Sequence, residues 1–129
     1  MHALDRQSVV EDILLGYAEV AQGTQPVISY AYAPDRMNTT YDYDPERARA
    51  LLAEAGWEDA DGDGIVEKDG QPLSFELLYQ SGSPTVEQII AYTQDAWLQV
   101  GIDAQPRALE WTSLLKETVS EDGSPAPYA

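Results

Sequence analysis

Cysteine is absent from the 129 residues, so no disulfide framework, thiolate nucleophile or Cys-ligated zinc site can form. Histidine occurs once, at His2. Its place at the ragged start of the chain removes most imidazole-based catalysis, which needs a base oriented by a third group. Basic residues are scarce: seven Lys and Arg stand against 23 Asp and Glu, a formal net charge of −16. A chain so acidic lacks the basic stripe that phosphate neutralisation needs, so nucleic acid is excluded as a general partner, as is an anionic membrane surface. No apolar run approaches the ~20 residues of a membrane span. The opening Met1-His2-Ala3-Leu4-Asp5-Arg6 lacks the basic, apolar and small-residue regions of a signal peptide, and the reading is a soluble chain without a targeting signal of its own.

What is present has the size of one domain, able to bury a core without metal or disulfide help. Val9, Val10, Ile13 and Leu14 recur at helical spacing, and Gly16 suits the left-handed stop. No N-cap signal is visible before Leu4, so this helix reads as starting midway. Residues 16–43 form a long irregular stretch with Tyr17, Tyr30, Tyr32, Tyr41 and Tyr43. The expectation is that these aromatics pin the loop to the core, with ligand or partner contact as the alternative. Asp44-Pro45-Glu46 is a helix start, Ala48, Leu51, Leu52 and Ala55 make one apolar face, and Gly56 ends it, with Trp57 packing back over that end.

From Leu73 to Tyr79, apolar residues alternate as in a strand. Ser83-Pro84 opens a helix carrying Val86, Ile89, Ile90, Thr93, Trp97 and Val100, stopped by Gly101. Ile102, Ala104, Pro106 and Ala108 alternate as a second strand, which Pro106 demotes toward an edge or a break. Strand, helix and strand with short joints predict a βαβ unit with parallel strands and a right-handed crossover. Its expected core is Leu77, Ile89, Ile90, Trp97 and Ile102. A last helix is expected from about Trp111 through Leu114, Leu115 and Val119, and residues 121–129 read as a flexible tail.

One motif carries chemistry. Asp59, Asp61 and Asp63 occupy positions one, three and five of a loop with Gly64 at six, the front half of an EF-hand-type calcium loop. The Ile65 carbonyl would fall at position seven and Glu67 at nine. Position twelve, where a bidentate Glu belongs, holds Gly70, and a strand rather than a helix follows. Two readings stay open: a weak site for calcium or another hard cation, or an acidic turn in which Asp-Gly pairs simply reverse the chain. No cofactor is required by anything else in the sequence.

In this order the segments resemble extracytoplasmic solute-binding proteins of the oligopeptide/dipeptide-binding type that serve ABC importers. The resemblance rests on Ala3-Leu4-Asp5-Arg6 with Val9-Val10, on Tyr43-Asp44-Pro45-Glu46-Arg47-Ala48, and on Leu51-Leu52-Ala53-Glu54-Ala55-Gly56-Trp57. The acidic loop 59–65, Lys68-Asp69-Gly70-Gln71-Pro72-Leu73, Ala96-Trp97-Leu98-Gln99-Val100-Gly101-Ile102 and Glu110-Trp111 also fit. It covers nearly all of residues 1–120. The resemblance implies an α/β fold in which two hinged lobes close on a peptide or similar small solute, no enzymatic activity, docking on a membrane permease, and a periplasmic or extracytoplasmic parent protein. Residues 1–120 would be a contiguous part of one lobe, from an excised or truncated chain, since the family's next strand is missing after Ser120. Trp111 is implied to line the solute cavity, and a basic pair of some relatives would fall on Thr118 and Val119, which are not basic. Tyr79, Gln80 and Ser81, reaching toward Gly82, are added as cleft candidates because α/β sheets bind ligands beyond the carboxyl ends of their strands. The alternative reading is a free-standing calcium-binding or interaction module. Apolar surface left open on a lone lobe also predicts self-association.

Overall fold

The computed structural model describes residues 1–23, 25–36 and 39–118. The N-terminal helix α1 spans Arg6–Ser8 and widens into a π-helical turn over Val9–Ile13. It has a cap that the sequence reading missed: the Asp5 carboxylate accepts from the Gln7 and Ser8 amides at 3.0 and 3.1 Å and from the Ser8 hydroxyl at 3.0 Å. The helix therefore begins properly, at Arg6. Hydrogen bonding, from the Ser8 amide above all, holds the Asp5 carboxyl below its ordinary range. Gly16, at φ +78°, makes the left-handed stop.

Helix α2, Pro45–Glu54, is capped by Asp44, whose carboxylate accepts from the Arg47 amide at 2.9 Å. Gly56 at φ +83° turns the chain, and the Trp57 amide reaches back to the Leu52 carbonyl at 3.0 Å. The expected apolar face is only partly used. Ala48 and Leu52 are half-buried, Leu51 and Ala55 are exposed, and no residue of α2 is fully buried. A short hairpin follows, β1 (Glu67–Lys68) with β2 (Gln71–Pro72), antiparallel. Its turn residues Asp69 and Gly70 both have positive φ, 54° and 72°, as a type I′ turn requires.

Strand β3 (Ser74–Gln80), helix α3 (Pro84–Leu98) and strand β4 (Asp103–Leu109) form the expected unit, with β3 and β4 paired in parallel from Ser74↔Asp103 to Gln80↔Leu109. Ser83 caps α3 and Pro84 opens it. Pro106 breaks nothing: β4 runs through it and, among the described residues, pairs with β3 alone, so its missing donor is tolerated. Residues paired across the ladder share a face, so Phe75, Leu77 and Tyr79 lie with Ala104, Pro106 and Ala108. Helix α3 packs on part of this face, with the Trp97 and Phe75 ring centroids 5.8 Å apart at 58° and Ala104 buried, while Pro106 and Ala108 stay exposed. Helix α4, Trp111–Thr118, follows β4 after one residue. The expected residue Val119 and the tail 121–129 lie outside the described residues.

The core differs from expectation. Leu77, Ile89, Ile90, Trp97 and Ile102 are half-buried, and among the described residues the buried apolar ones are Ala3, Val10, Val100 and Ala104, joined by Thr93. A two-stranded sheet is too narrow for its large side chains to be enclosed by neighbours on every side. The residues sealed from water are small or medium-sized and come from four places: the N-terminal segment (Ala3, Val10), α3 (Thr93), the turn after it (Val100) and β4 (Ala104). Thr93 satisfies its hydroxyl by donating to the Ile89 carbonyl at 2.7 Å.

The long loop corrects a second expectation. Tyr17 and Tyr30 are almost wholly exposed, Tyr41 and Tyr43 are exposed, and only Tyr32 is half-buried. The tyrosine side chains contribute two contacts, the Tyr32 hydroxyl accepting from the Gln22 amide at 3.4 Å and the Tyr41 ring lying 5.5 Å from that of His2, and Arg6 adds further ties. Its guanidinium donates to the Ala21 carbonyl at 3.0 Å and to the Tyr41 carbonyl at 2.8 Å, tying both limbs of the loop to α1.

Candidate functional site

The parallel pairing brings the carboxyl ends of β3 and β4 side by side. Gln80 is in register with Leu109, and the Ser81 amide extends the ladder by donating to the Leu109 carbonyl at 2.8 Å. Gly82 follows at φ +96°, where the chain turns into α3. Tyr79 is half-buried, while Gln80 and Ser81 are exposed. One residue beyond β4, Glu110 covers the start of α4: its carboxylate accepts from the Thr112 amide at 2.8 Å. Hydrogen bonds from Thr112 foremost, then from the Ser113 and Trp111 amides, hold its carboxyl below the ordinary range. Trp111 is 52% exposed. The strand ends thus carry the exposed polar residues Gln80 and Ser81, with the exposed Trp111 two residues past the end of β4. At the far end of α4, Thr118 turns its hydroxyl onto the Leu114 carbonyl at 2.8 Å and offers no cation.

The acidic loop is ordered by its own carboxylates. Asp59 accepts from the Gly62 amide at 2.7 Å and the Gly64 amide at 3.1 Å, Asp61 from the Asp63 amide at 3.0 Å, and Asp63 from the Ile65 amide at 2.7 Å. Gly62 and Gly64, at φ +84° and +94°, supply the tight turns. One oxygen from each of Asp59, Asp61 and Asp63 lies within 4.8 Å of the others, and all three residues are exposed. Glu67 is not in that cluster. Its carboxylate accepts from the Ala60 amide at 3.0 Å, and its backbone bridges Glu58. Ile65 is half-buried.

A hollow of about 550 Å³ lies elsewhere, between α1 and the long loop, lined by Arg6, Gln22, Tyr32 and Tyr41 among others. Arg6 is the residue of this region that sequence reasoning missed. The only signal for it was its place next to Asp5 in a matched motif.

Comparison with known proteins defines the class. The fold aligns with that of the oligopeptide-binding protein AppA from Bacillus subtilis, solved with a nonapeptide, at a TM-score of 0.86 and 35% identity, covering 93% of this chain and 24% of that one. It also aligns with NikZ from Campylobacter jejuni, solved with Ni(L-His), at a TM-score of 0.75 and 29% identity, covering 87% and 22%. Among curated sequences, Bacillus subtilis AppA is 36% identical over 115 residues, covering 89% of this chain and 21% of that protein. The nickel-binding periplasmic protein of Escherichia coli is 32% identical over 103 residues, covering 79% and 19%. Residues 1–125 match the family described as bacterial extracellular solute-binding proteins, family 5 Middle. The chain belongs to that family, and it spans about a fifth of the length of the curated relatives it matches.

Proposed function

We propose that this chain is part of one lobe of the solute-binding component of a bacterial ABC importer, and that the ends of β3 and β4 with Trp111 form one wall of its cleft. The observation that carries the reading is the adjacency of Gln80, Ser81, Leu109 and Glu110 at the parallel strand ends, with Trp111 open beside them. The solute is a peptide or a similar small molecule, in line with the nonapeptide bound to AppA. The protein acts by binding, without bond chemistry, outside the cytoplasmic membrane, and hands its solute to a membrane permease.

Binding between two lobes depends on both walls and on closure. The 129 residues alone are therefore expected to bind peptides weakly. Titration calorimetry with a peptide mixture, run on this chain and on the product of its whole gene, tests this. Submicromolar binding by the 129 residues would refute the two-wall reading. Trp111→Ala is expected to weaken binding by the larger protein and to leave the fold of this chain intact.

A second reading concerns the acidic loop, on which Asp59, Asp61 and Asp63 converge. We propose that it takes calcium weakly as a staple of the turn, with the Ile65 carbonyl and Glu67 as further ligands. The family match favours the solute-binding reading over a free-standing calcium module.

A further inference from the structure

We propose that Arg107 is a positioning residue for the cleft wall, fixing the seat of α4 and through it the Trp111 side chain; this rests on the solute-binding reading above. Arg107 lies on the face of the sheet opposite α3. Its Nη1 donates to Glu76 Oε2 on β3 at 2.9 Å and to Glu117 Oε2 on α4 at 3.1 Å, and its Nη2 donates to Glu117 Oε1 at 2.8 Å. One guanidinium thus joins both strands of the sheet to the last helix, and to that helix through a two-pronged fork.

Helix α4 needs such a tie because apolar contact seats it only loosely. None of its residues is fully buried, Trp111 and Leu115 are exposed, and Leu114 is half-buried. Among the described residues, the Arg107–Glu117 pair is the ion pair that anchors α4 to the sheet. Glu117 stands two steps of i+3 from Trp111, through Leu114. Trp111 and Glu117 belong to one short continuous helix, so rotation or lift of that helix at Glu117 carries Trp111 with it. The same engagement takes Arg107 out of use as a receptor for a solute carboxylate. Lysine cannot replace it, because an ammonium is a point charge that cannot hold a carboxylate by two parallel bonds.

The test reads the indole N–H resonances of Trp57, Trp97 and Trp111 in the ¹⁵N-labelled chain, with Trp111→Phe assigning the last. Arg107→Gln, Arg107→Lys and Glu117→Gln are expected to move the Trp111 resonance the same way and leave the other two in place. Each corresponds to about a two- to fivefold loss of the seated population. The double variant Arg107→Gln/Glu117→Gln should move it no further than Arg107→Gln, since both act through one contact. An unmoved Trp111, additive effects or full rescue by lysine would overturn the proposal. If Arg107→Gln does not fold, Glu117→Gln, which keeps the Arg107–Glu76 pair, carries the test, and an unmoved Trp111 in it is decisive against. In the product of the whole gene, Arg107→Gln should weaken peptides with free and amidated carboxyl ends by the same factor. A loss confined to free carboxylates would make Arg107 a direct receptor and overturn it. Failure of the wild-type protein to bind any solute would instead refute the solute-binding reading, with the indole result standing on its own.

Discussion

Gly101 and Val66 approach so closely that the glycine cannot carry a side chain. A Cβ on Gly101 would lie 2.7 Å from Val66 Cγ1 and 3.2 Å from its backbone nitrogen, and Gly101 sits at φ +86°. The contact is made by the Val66 amide donating to the Gly101 carbonyl at 2.9 Å, which docks the segment after the acidic loop onto the end of α3. Gly101→Ala is expected to destabilise the fold by roughly 2–4 kcal/mol, from left-handed strain and overpacking together. Urea denaturation checks this. Adding Val66→Ala should recover part of the loss by relieving the side-chain clash and none of the backbone strain.

Because Ile90 is half-buried, Ile90→Ala should cost about 1–2 kcal/mol, below the 2–5 kcal/mol typical of a sealed core site. Ala104→Leu, at a position only 1% exposed, should be worse than its chemistry suggests, because no space exists for added methylenes. Chemical denaturation of the two variants side by side orders them.

Arg6→Gln should loosen the long loop without touching the sheet. Losing charge-assisted bonds to Ala21 and Tyr41 is expected to speed amide hydrogen exchange in the 17–43 segment by roughly 5- to 30-fold, with β3 and β4 amides unchanged. Equal acceleration in the sheet would assign Arg6 a global role instead.

Acid should erase the contribution of Asp103. The Ser74 hydroxyl donates to its carboxylate at 2.7 Å and the Gln105 amide at 3.0 Å, and these bonds hold its pKa below the ordinary 3.8. The folded state then binds its proton less readily than the unfolded one. Its stabilisation is complete above about pH 4 and is lost as pH falls through the lower folded-state value. Wild type should be more stable than Asp103→Asn at neutral pH, and the gap should close on acidification. Thermal melts at several pH values measure it.

Calcium at millimolar concentration should raise the melting temperature of wild type by an amount that grows with concentration. Asp61→Asn and Asp63→Asn together should abolish the rise. A wild-type melt indifferent to calcium would leave the loop a hydrogen-bonded turn.

Local signals settled most of the chain's architecture. Asp44-Pro45 and Ser83-Pro84 announce helices because a capping oxygen and a prefixed φ act within three residues. Alternation from Leu73 to Tyr79 and from Ile102 to Ala108 gave the two strands, and the short joints around a single helix gave their parallel order. The spacing of Asp59, Asp61 and Asp63 announced their convergence, since the loop closes on itself. Tertiary structure decided what depends on distant neighbours. How deeply Ile90 and Trp97 sink is set by the width of the sheet, and periodicity reports only which way a residue faces. The hold of Arg6 on the loop depends on carbonyls 15 and 35 residues away. The Arg107 fork gathers carboxylates from β3 and α4, 31 and 10 residues distant. Such partners are chosen by the folded chain's geometry, where charges far apart in sequence come within hydrogen-bond reach.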